Sequence, residues 1–508
     1  MSLLNAVNNN TIAYTKTVSK ADRKSHGQFF TPLKIAEYMG SLSTIRKETL
    51  NILDPGAGSG ILSAAIIDAL KKCSLIKQIN LDLYENNADI IPLLQSNLLN
   101  IQQECQRYSI QVNFNVIEDN FITANQLSWT GDIPVEKYDI VISNPPYKKL
   151  NKNDIESSIM SDIVYGQPNY YFLFMAMGSR LLKNDGEFIY IVPRSFSSGL
   201  YFTAFRKYFL NAMRITDLHL FTSRESIGGN NDSILQETVI IRATKSQKRI
   251  GSIKITESVG EDCFNPTSKY SANYDACVTQ DGNSFLFFPV CEEDARVLEF
   301  VNQWPSNLTM LGFKMKTGIV VDFRETEWLV AENDANSIPL LWAYNFSKYR
   351  IQFPVNVYGK PQYLRNSPET KRLQMSKGNY ILLKRFTSKE ENKRIQCALL
   401  FENDFQMYGN LSTENHLNYI MKTNGSMSEY EMYGLFVILN SHYLDRYFRI
   451  LNGSTQVNAN EINSIPFPEY SDIIQMGRIA IAGVDLDSLD CDAILNEQFP
   501  ASPIRKAI

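Results

Sequence analysis

Histidine and tryptophan are scarce in this chain, with four of each among 508 residues, and cysteine is present without pattern. The seven cysteines, Cys73, Cys105, Cys263, Cys277, Cys291, Cys397 and Cys491, are odd in number, widely spaced and contain no Cys-x-x-Cys pair. A disulfide framework and a zinc site are therefore not indicated. His26, His219, His416 and His442 are too scattered to suggest a local ligand cluster, so no metal is expected and metal-assisted catalysis falls low among the options. No apolar run reaches membrane-spanning length, and the first residues lack the basic end and apolar core of a secretory leader. A cytoplasmic chain without a membrane partner is expected. Internal repeats and low-complexity tracts are absent too, which sets aside solenoids and disordered linkers.

What is present is a globular composition and more length than one ordinary core organises, so two domains are expected. The net charge of −4 excludes nothing by itself, because binding depends on how charge is distributed. Residues 341–400 hold twelve basic side chains against three acidic ones, a local charge of +9, with tyrosines and phenylalanines interleaved. Such a run reads either as a solvated face or as a phosphate-binding surface.

The most informative stretch is Asn144-Pro145-Pro146-Tyr147. It follows an apolar, β-branched run over 138–143 that reads as a buried parallel strand, and open α/β sheets bind ligands at strand carboxyl ends. Two successive prolines stiffen the turn and set the Asn144 side chain and the Pro145 carbonyl beside one another as acceptors. That pair suits an exocyclic amine conjugated to an aromatic ring. Accepting both N–H bonds localises the lone pair and meets the developing positive charge, while Tyr147 offers a flat face for a base. In isolation the tetrapeptide is better read as a turn with a buried tyrosine.

Its surroundings favour the chemical reading. Gly27-Gln28-Phe29-Phe30-Thr31-Pro32 precedes a helical pattern over 33–41, with Thr31 and Pro32 as a helix start. Residues 51–60 read as a strand ending at Asp54, then a loop with Gly56, Gly58 and Gly60 that opens a helix. The glycine spacing is neither the dinucleotide fingerprint nor a P-loop. A second strand over 79–84 ends at Glu85, a carboxylate suited to ribose hydroxyls, and a third over 112–117 ends at Asp119-Asn120-Phe121. Further patterns extend to residue 244 and complete a mostly parallel sheet with helices on both faces. The shorter, turn-rich runs beyond 250 suggest a mixed α+β domain, and a polar, acidic wrap or tail is expected from about residue 470. Residues 1–26 read as a loosely ordered arm, 27–248 as the first domain and 249–508 as the second.

Taken together, these motifs resemble the adenine-specific DNA methyltransferases of the PstI and BsuBI type. The resemblance spans nearly the whole chain: it continues through Pro193-Arg194-Ser195-Phe196, Leu235-Gln236-Glu237, the 317–324 stretch ending in Arg324, Lys384-Arg385-Phe386, the 414–419 stretch and the 453–458 stretch. It implies a Rossmann-like class I methyltransferase domain followed by a target recognition domain. It also implies S-adenosylmethionine as cofactor, held by Phe30, Thr31, Asp54, Gly56, Gly58, Glu85, Asp119, Asn120, Phe121 and Asn144. Asn144, Pro145, Pro146 and Tyr147 would be catalytic on a flipped adenine in duplex DNA. Lys384, Arg385, Arg324, Asn415, His416, Gln456 and Asn458 would contact that DNA. The chain would act as a monomer alongside a separate restriction endonuclease. Members commonly carry an aromatic just before the Leu-Gln-Glu box to cover the base's second face. The 226–231 stretch has none, which leaves Phe196 or Phe221 as candidates. RNA or protein-glutamine methylation, or a non-catalytic DNA-binding adaptor, are the competing functions.

Overall fold

A computed structural model describes residues 2–19, 30–131, 136–221, 237–248, 251–279, 282–355, 357–483 and 485–500. The chain divides into two compact units, Met1–Glu292 and Glu293–Ile508.

The first unit is built on nine strands: β1 (Thr49–Pro55), β2 (Gln78–Tyr84), β3 (Gln111–Ile117), β4 (Tyr138–Ser143), β5 (Leu182–Pro193), β6 (Met213–Phe221), β7 (Thr238–Lys245), β8 (Ser252–Ser258) and β9 (Ser268–Asn273). Their order is β3-β2-β1-β4-β5-β7-β6-β8-β9. Strand β7 runs antiparallel between β5 and β6, and β9 antiparallel to β8, while the other pairings are parallel. This is the expected class I methyltransferase sheet. All six residues of β4 are buried, because helices cover both faces and a near-continuous apolar strand has no solvent side. Parallel pairing of β1 with β2 and β4 brings Pro55, Tyr84 and Ser143 to one edge, and Ser143 Oγ donates to the Pro55 carbonyl at 2.6 Å. At the opposite ends of these strands lie structural ion pairs. Asp139 holds Lys47 and Lys183, and Glu187 holds Arg242, Ser43 and Thr44.

Two sequence expectations for this unit need correction. The amino terminus is no loose arm, for Leu3–Thr17 is helical, capped by Ser2, with Leu3, Leu4 and Val7 buried in the core. Burying such side chains is worth roughly 1.5–3 kcal/mol each, which outweighs the few tenths per residue that Asn and Thr cost a helix. The boundary expected at 248/249 is also displaced. Strands β8 and β9 extend the first sheet instead of opening the second unit, because β6 offers them an edge to pair with.

The second unit contains strands β10 (Phe313–Thr317), β11 (Leu329–Val330), β12 (Ser337–Leu341), β13 (Phe346–Ser347), β14 (Arg350–Ile351), β15 (Tyr363–Arg365), β16 (Met375–Ser376), β17 (Tyr380–Lys384), β18 (Cys397–Leu400), β19 (Asn410–Thr413) and β20 (Leu417–Lys422). They form a six-stranded sheet, β10-β20-β17-β18-β14-β13, and a five-stranded sheet, β11-β15-β12-β19-β16. The mixed α+β character matches expectation, and the end of the chain, expected as an acidic wrap or tail, is helical and packed. Tyr470–Gly483 is a helix whose Ile473, Met476 and Ala480 are buried, and it crosses the helix Glu429–Asn440 closely. A Cβ at Gly434 would collide with the Ile473 carbonyl, and one at Gly477 with that of Tyr430. Small residues at both crossing points let the backbones meet, a feature no charge count reveals. Among the described residues no helix is long and apolar enough to cross a membrane.

Candidate active site

The glycine loop between β1 and the helix Ile61–Leu70 is held open by left-handed backbone at Gly56, Gly58 and Gly60 (φ 75°, 55° and 77°), a conformation that penalises any side chain. A Cβ at Gly56 would touch Phe174 and Pro146, and one at Gly58 would touch Phe30, so the loop lies under aromatic and proline surfaces at van der Waals range. Glu85, at the end of β2, is bound to this loop. Its Oε2 accepts from the Gly58 amide at 2.8 Å and its Oε1 from the Asn87 amide at 2.9 Å.

Asp54 is 1 % exposed. One oxygen, Oδ2, accepts from Ser63 Oγ at 2.5 Å, whereas Oδ1 is buried without a hydrogen-bond partner among the described residues. Burial raises its pKa to about 7, against the lowering effect of Ser63. A buried, half-satisfied carboxylate is costly unless a cation or donor arrives. Ser63 was not singled out in the sequence, although its place one turn into the helix after the loop is the available signal.

The third strand end is arranged differently from expectation. Asn120 spends its side chain structurally: Oδ1 caps the short helix Phe121–Ala124 through the Ile122 amide, and Nδ2 donates to Glu156 Oε1 at 2.7 Å. Phe121 is buried against Tyr84 and Phe174, each 5.1 Å between ring centroids, while Asp119 is exposed.

At the carboxyl end of β4, Asn144 joins two distant motifs. Its Nδ2 donates to Thr31 Oγ1 at 3.1 Å, and its Oδ1 accepts from the Tyr147 hydroxyl at 2.9 Å. That hydroxyl also reaches the Ile191 carbonyl of β5 at 3.0 Å, so the phenol end is anchored in the sheet while the ring remains partly exposed. Burial pushes the phenol well above its ordinary pKa and keeps it a neutral donor. The Tyr147 ring meets Tyr171 edge-on at 6.3 Å, and Tyr171 pairs with Ser195. Glu156 is a further residue that sequence reading missed, since its carboxylate ties Asn120 to the Tyr170 hydroxyl across the segment after the turn.

Phe196 and Phe221, the candidates for a second stacking face, are 1 % and 2 % exposed in hydrophobic clusters. Neither presents a ring to a ligand, because Phe196, in the short 3-10 helix Arg194–Ser197, packs edge-on to Phe205, and Phe221, the last residue of β6, packs edge-on to His219. Gly27, Gln28 and Phe29, the 226–231 stretch, Leu235 and Gln236 lie outside the described residues. Glu237 is described, and its carboxylate pairs with buried Arg194 at 3.0 Å.

Comparison with known proteins gives the family. Residues 58–227 match the family model described as Eco57I restriction-modification methylase. The chain is 29 % identical to the type II methyltransferase M.PstI of Providencia stuartii, covering 96 % of this chain and 95 % of that one. With the type II methyltransferase M.BsuBI of Bacillus subtilis the identity is 30 %, covering 93 % of both. The chain belongs to the PstI/BsuBI-type restriction-modification methyltransferases. Its fold is also similar to that of the type IIL restriction-modification enzyme MmeI, solved in complex with DNA, with a TM-score of 0.51 at 12 % identity over 88 % of this chain and 65 % of that one.

The second unit of this methyltransferase gathers most of the recognition candidates. Arg385 donates to the Asn415 carbonyl at 3.0 Å and approaches Gln456 Oε1 at 3.4 Å, and its own amide donates to the His416 carbonyl. Phe386 pairs with Gln456 across an isolated bridge and lies 4.9 Å from the His416 ring. Buried Glu414 accepts from both the His416 amide and its Nδ1, which fixes the ring's orientation. Lys384 lies over Phe346. Asn458 is differently engaged, donating to Glu461 at the start of the helix Ala459–Ser464, and exposed Arg324 lies over Phe323.

The 341–400 charge run is only partly a free basic face. Lys348, Arg350, Lys360 and Arg372 pair with Asp487, Asp485, Asp322 and Glu325, acids that all lie outside the run. Arg394 is buried, donating to Thr387 and to the Ser454 carbonyl. Its charge is spent holding the 453–458 stretch in place.

Proposed function

We propose that this methyltransferase moves a methyl group from S-adenosylmethionine to the N6 amine of an adenine flipped out of duplex DNA, as the monomeric modification component of a restriction-modification system in the cytoplasm. The observation that carries the reading is the Asn144-Pro145-Pro146-Tyr147 turn, bonded through Asn144 to Thr31 and set beside Asp54 at one edge of the sheet.

The residues fit the cofactor. Asp54 Oδ1, buried without a partner among the described residues, matches an ammonium group, the Gly56–Gly58 backbone leaves room where a Cβ would fill it, and Glu85 faces that loop as a ribose acceptor. Bound there, the cofactor supplies an electrophilic sulfonium methyl. Asn144 Oδ1 and the Pro145 carbonyl accept the two amine N–H bonds, which localises the nitrogen lone pair for in-line attack. An amide oxygen has two lone pairs, so the Tyr147 bond does not exhaust it. As positive charge develops on the amine, these preorganised oxygens stabilise it, and the surplus proton leaves to solvent. No covalent enzyme intermediate is required. Tyr147 stacks on the base, with its hydroxyl held by Ile191 to set the ring's tilt.

Transfer of labelled methyl from S-adenosylmethionine to duplex DNA, followed by nucleoside analysis, tests this reading. N6-methyladenine is expected. Label appearing only in RNA or at protein glutamine would favour those substrates, and no transfer to any of them would favour a DNA-binding adaptor.

A further inference from the structure

The recognition candidates drawn from the motifs all lie beyond residue 310, which assigns DNA contact to the second unit. The first unit carries a basic strip of its own. The catalytic turn runs directly into Lys148-Lys149-Leu150-Asn151-Lys152, where all three lysines are exposed while Leu150 is buried as an anchor. This backbone is pinned. The Lys148 carbonyl accepts from the Tyr170 amide, Lys149 bridges to Asn169, and the Leu150 amide donates to the Pro168 carbonyl. Asn169 in turn donates to the Tyr147 carbonyl at 3.4 Å, so the strip and the catalytic turn are held as one piece.

None of the three lysines has an acidic partner among the described residues. The acids that follow in the chain are bound to neutral donors instead: Asp154 to the Asn151 amide, Glu156 to Asn120 and Tyr170, and Asp162 to the Trp129 indole. Tyr201, 49 % exposed, adds an aromatic surface beside the strip, its ring packed on Gly166 so closely that a Cβ there would collide with it. Three unpaired ammonium groups on rigid backbone immediately after a base-accepting turn are complementary to a polyanion.

We infer that Lys148, Lys149 and Lys152 contact backbone phosphates of the target strand flanking the extruded adenine, so that the catalytic domain itself holds the distorted DNA. The inference rests on the DNA-adenine reading above. Phosphate contacts carry no sequence information, so they act equally on cognate and unrelated DNA. They also make affinity depend on salt, by a slope of about 0.9 per phosphate neutralised.

The test compares full-length protein with the K148A/K149A/K152A variant in titrations of a cognate and a scrambled duplex across a range of salt concentrations. The variant is expected to bind both duplexes more weakly by a similar factor, with a slope shallower by about 0.9 for each phosphate it no longer neutralises. Its S-adenosylmethionine affinity should be unchanged, which also reports that the unit is folded. K148R/K149R/K152R, which keeps the charge, should restore the slope. Wild-type slope and affinity in the alanine variant would overturn the inference while leaving DNA methylation intact. Absence of DNA methylation by the wild type would instead remove the reading on which it rests.

Discussion

Asn144 Nδ2 donates to Thr31 Oγ1 at 3.1 Å, joining the Asn-Pro-Pro-Tyr turn to a residue 113 positions earlier in the chain. The amide is thereby oriented with its oxygen toward the Tyr147 hydroxyl. Thr31 is a positioning residue in this arrangement, whereas Asn144 is proposed to touch the target amine.

The two positions should therefore fail differently. Asn144→Ala removes an acceptor of developing charge and is expected to lower kcat by about 10²–10³, the range for loss of one preorganised partner, with cofactor affinity retained. Thr31→Val should lower kcat less, through misorientation of the amide, and Thr31→Ser should restore it. Single-turnover methylation with calorimetry on each variant checks this. Near-normal turnover in Asn144→Ala, or no rescue by serine, would count against these roles.

Asp54 is expected to make cofactor binding pH-dependent. Burial raises its pKa from 3.8 to about 7, so between these values the folded protein holds a proton that the unfolded chain has lost. Stability without cofactor is then fullest below the lower value and falls as pH rises toward the higher one. A cationic ammonium needs the ionised carboxylate, so affinity for S-adenosylmethionine should increase from about pH 6 to about pH 8. Asp54→Asn should abolish that rise, bind cofactor weakly throughout, and flatten the pH dependence of the apo melting temperature. Calorimetry and melting curves on both proteins read these quantities, and an unchanged pH profile in the variant would remove Asp54 from the pocket.

Arg385, bonded to Asn415 and Gln456, sits where a guanidinium is held in a fixed plane. If it reads a base edge, Arg385→Ala should relax discrimination at one position of the recognition sequence by about 1–3 kcal/mol. If it contacts phosphate, affinity should fall equally on cognate and scrambled duplexes and the salt slope should flatten. A variant showing neither effect would take the Arg385, His416 and Gln456 cluster out of the DNA interface.

The sequence by itself determined the sheet and where the candidate site falls on it. Parallel strands bury both faces, so their apolar runs are legible, and polar residues at successive strand ends converge because parallel pairing aligns those ends; Asp54, Glu85 and Asn144 follow from that rule. Other features were decided only by which surfaces meet in the folded chain. The Asn-rich amino terminus became helix because the core accepts Leu3, Leu4 and Val7. The basic run lost part of its free charge to Asp322, Glu325, Asp485 and Asp487, which the chain brings from either side of it. The Asn120 amide was drawn to Glu156, 36 residues on, and Phe196 and Phe221 were buried, because these partners and neighbouring side chains lie far away in sequence. Local pattern encodes the period of an element and its ends; burial and pairing are properties of two surfaces at once, and only the tertiary fold brings both together.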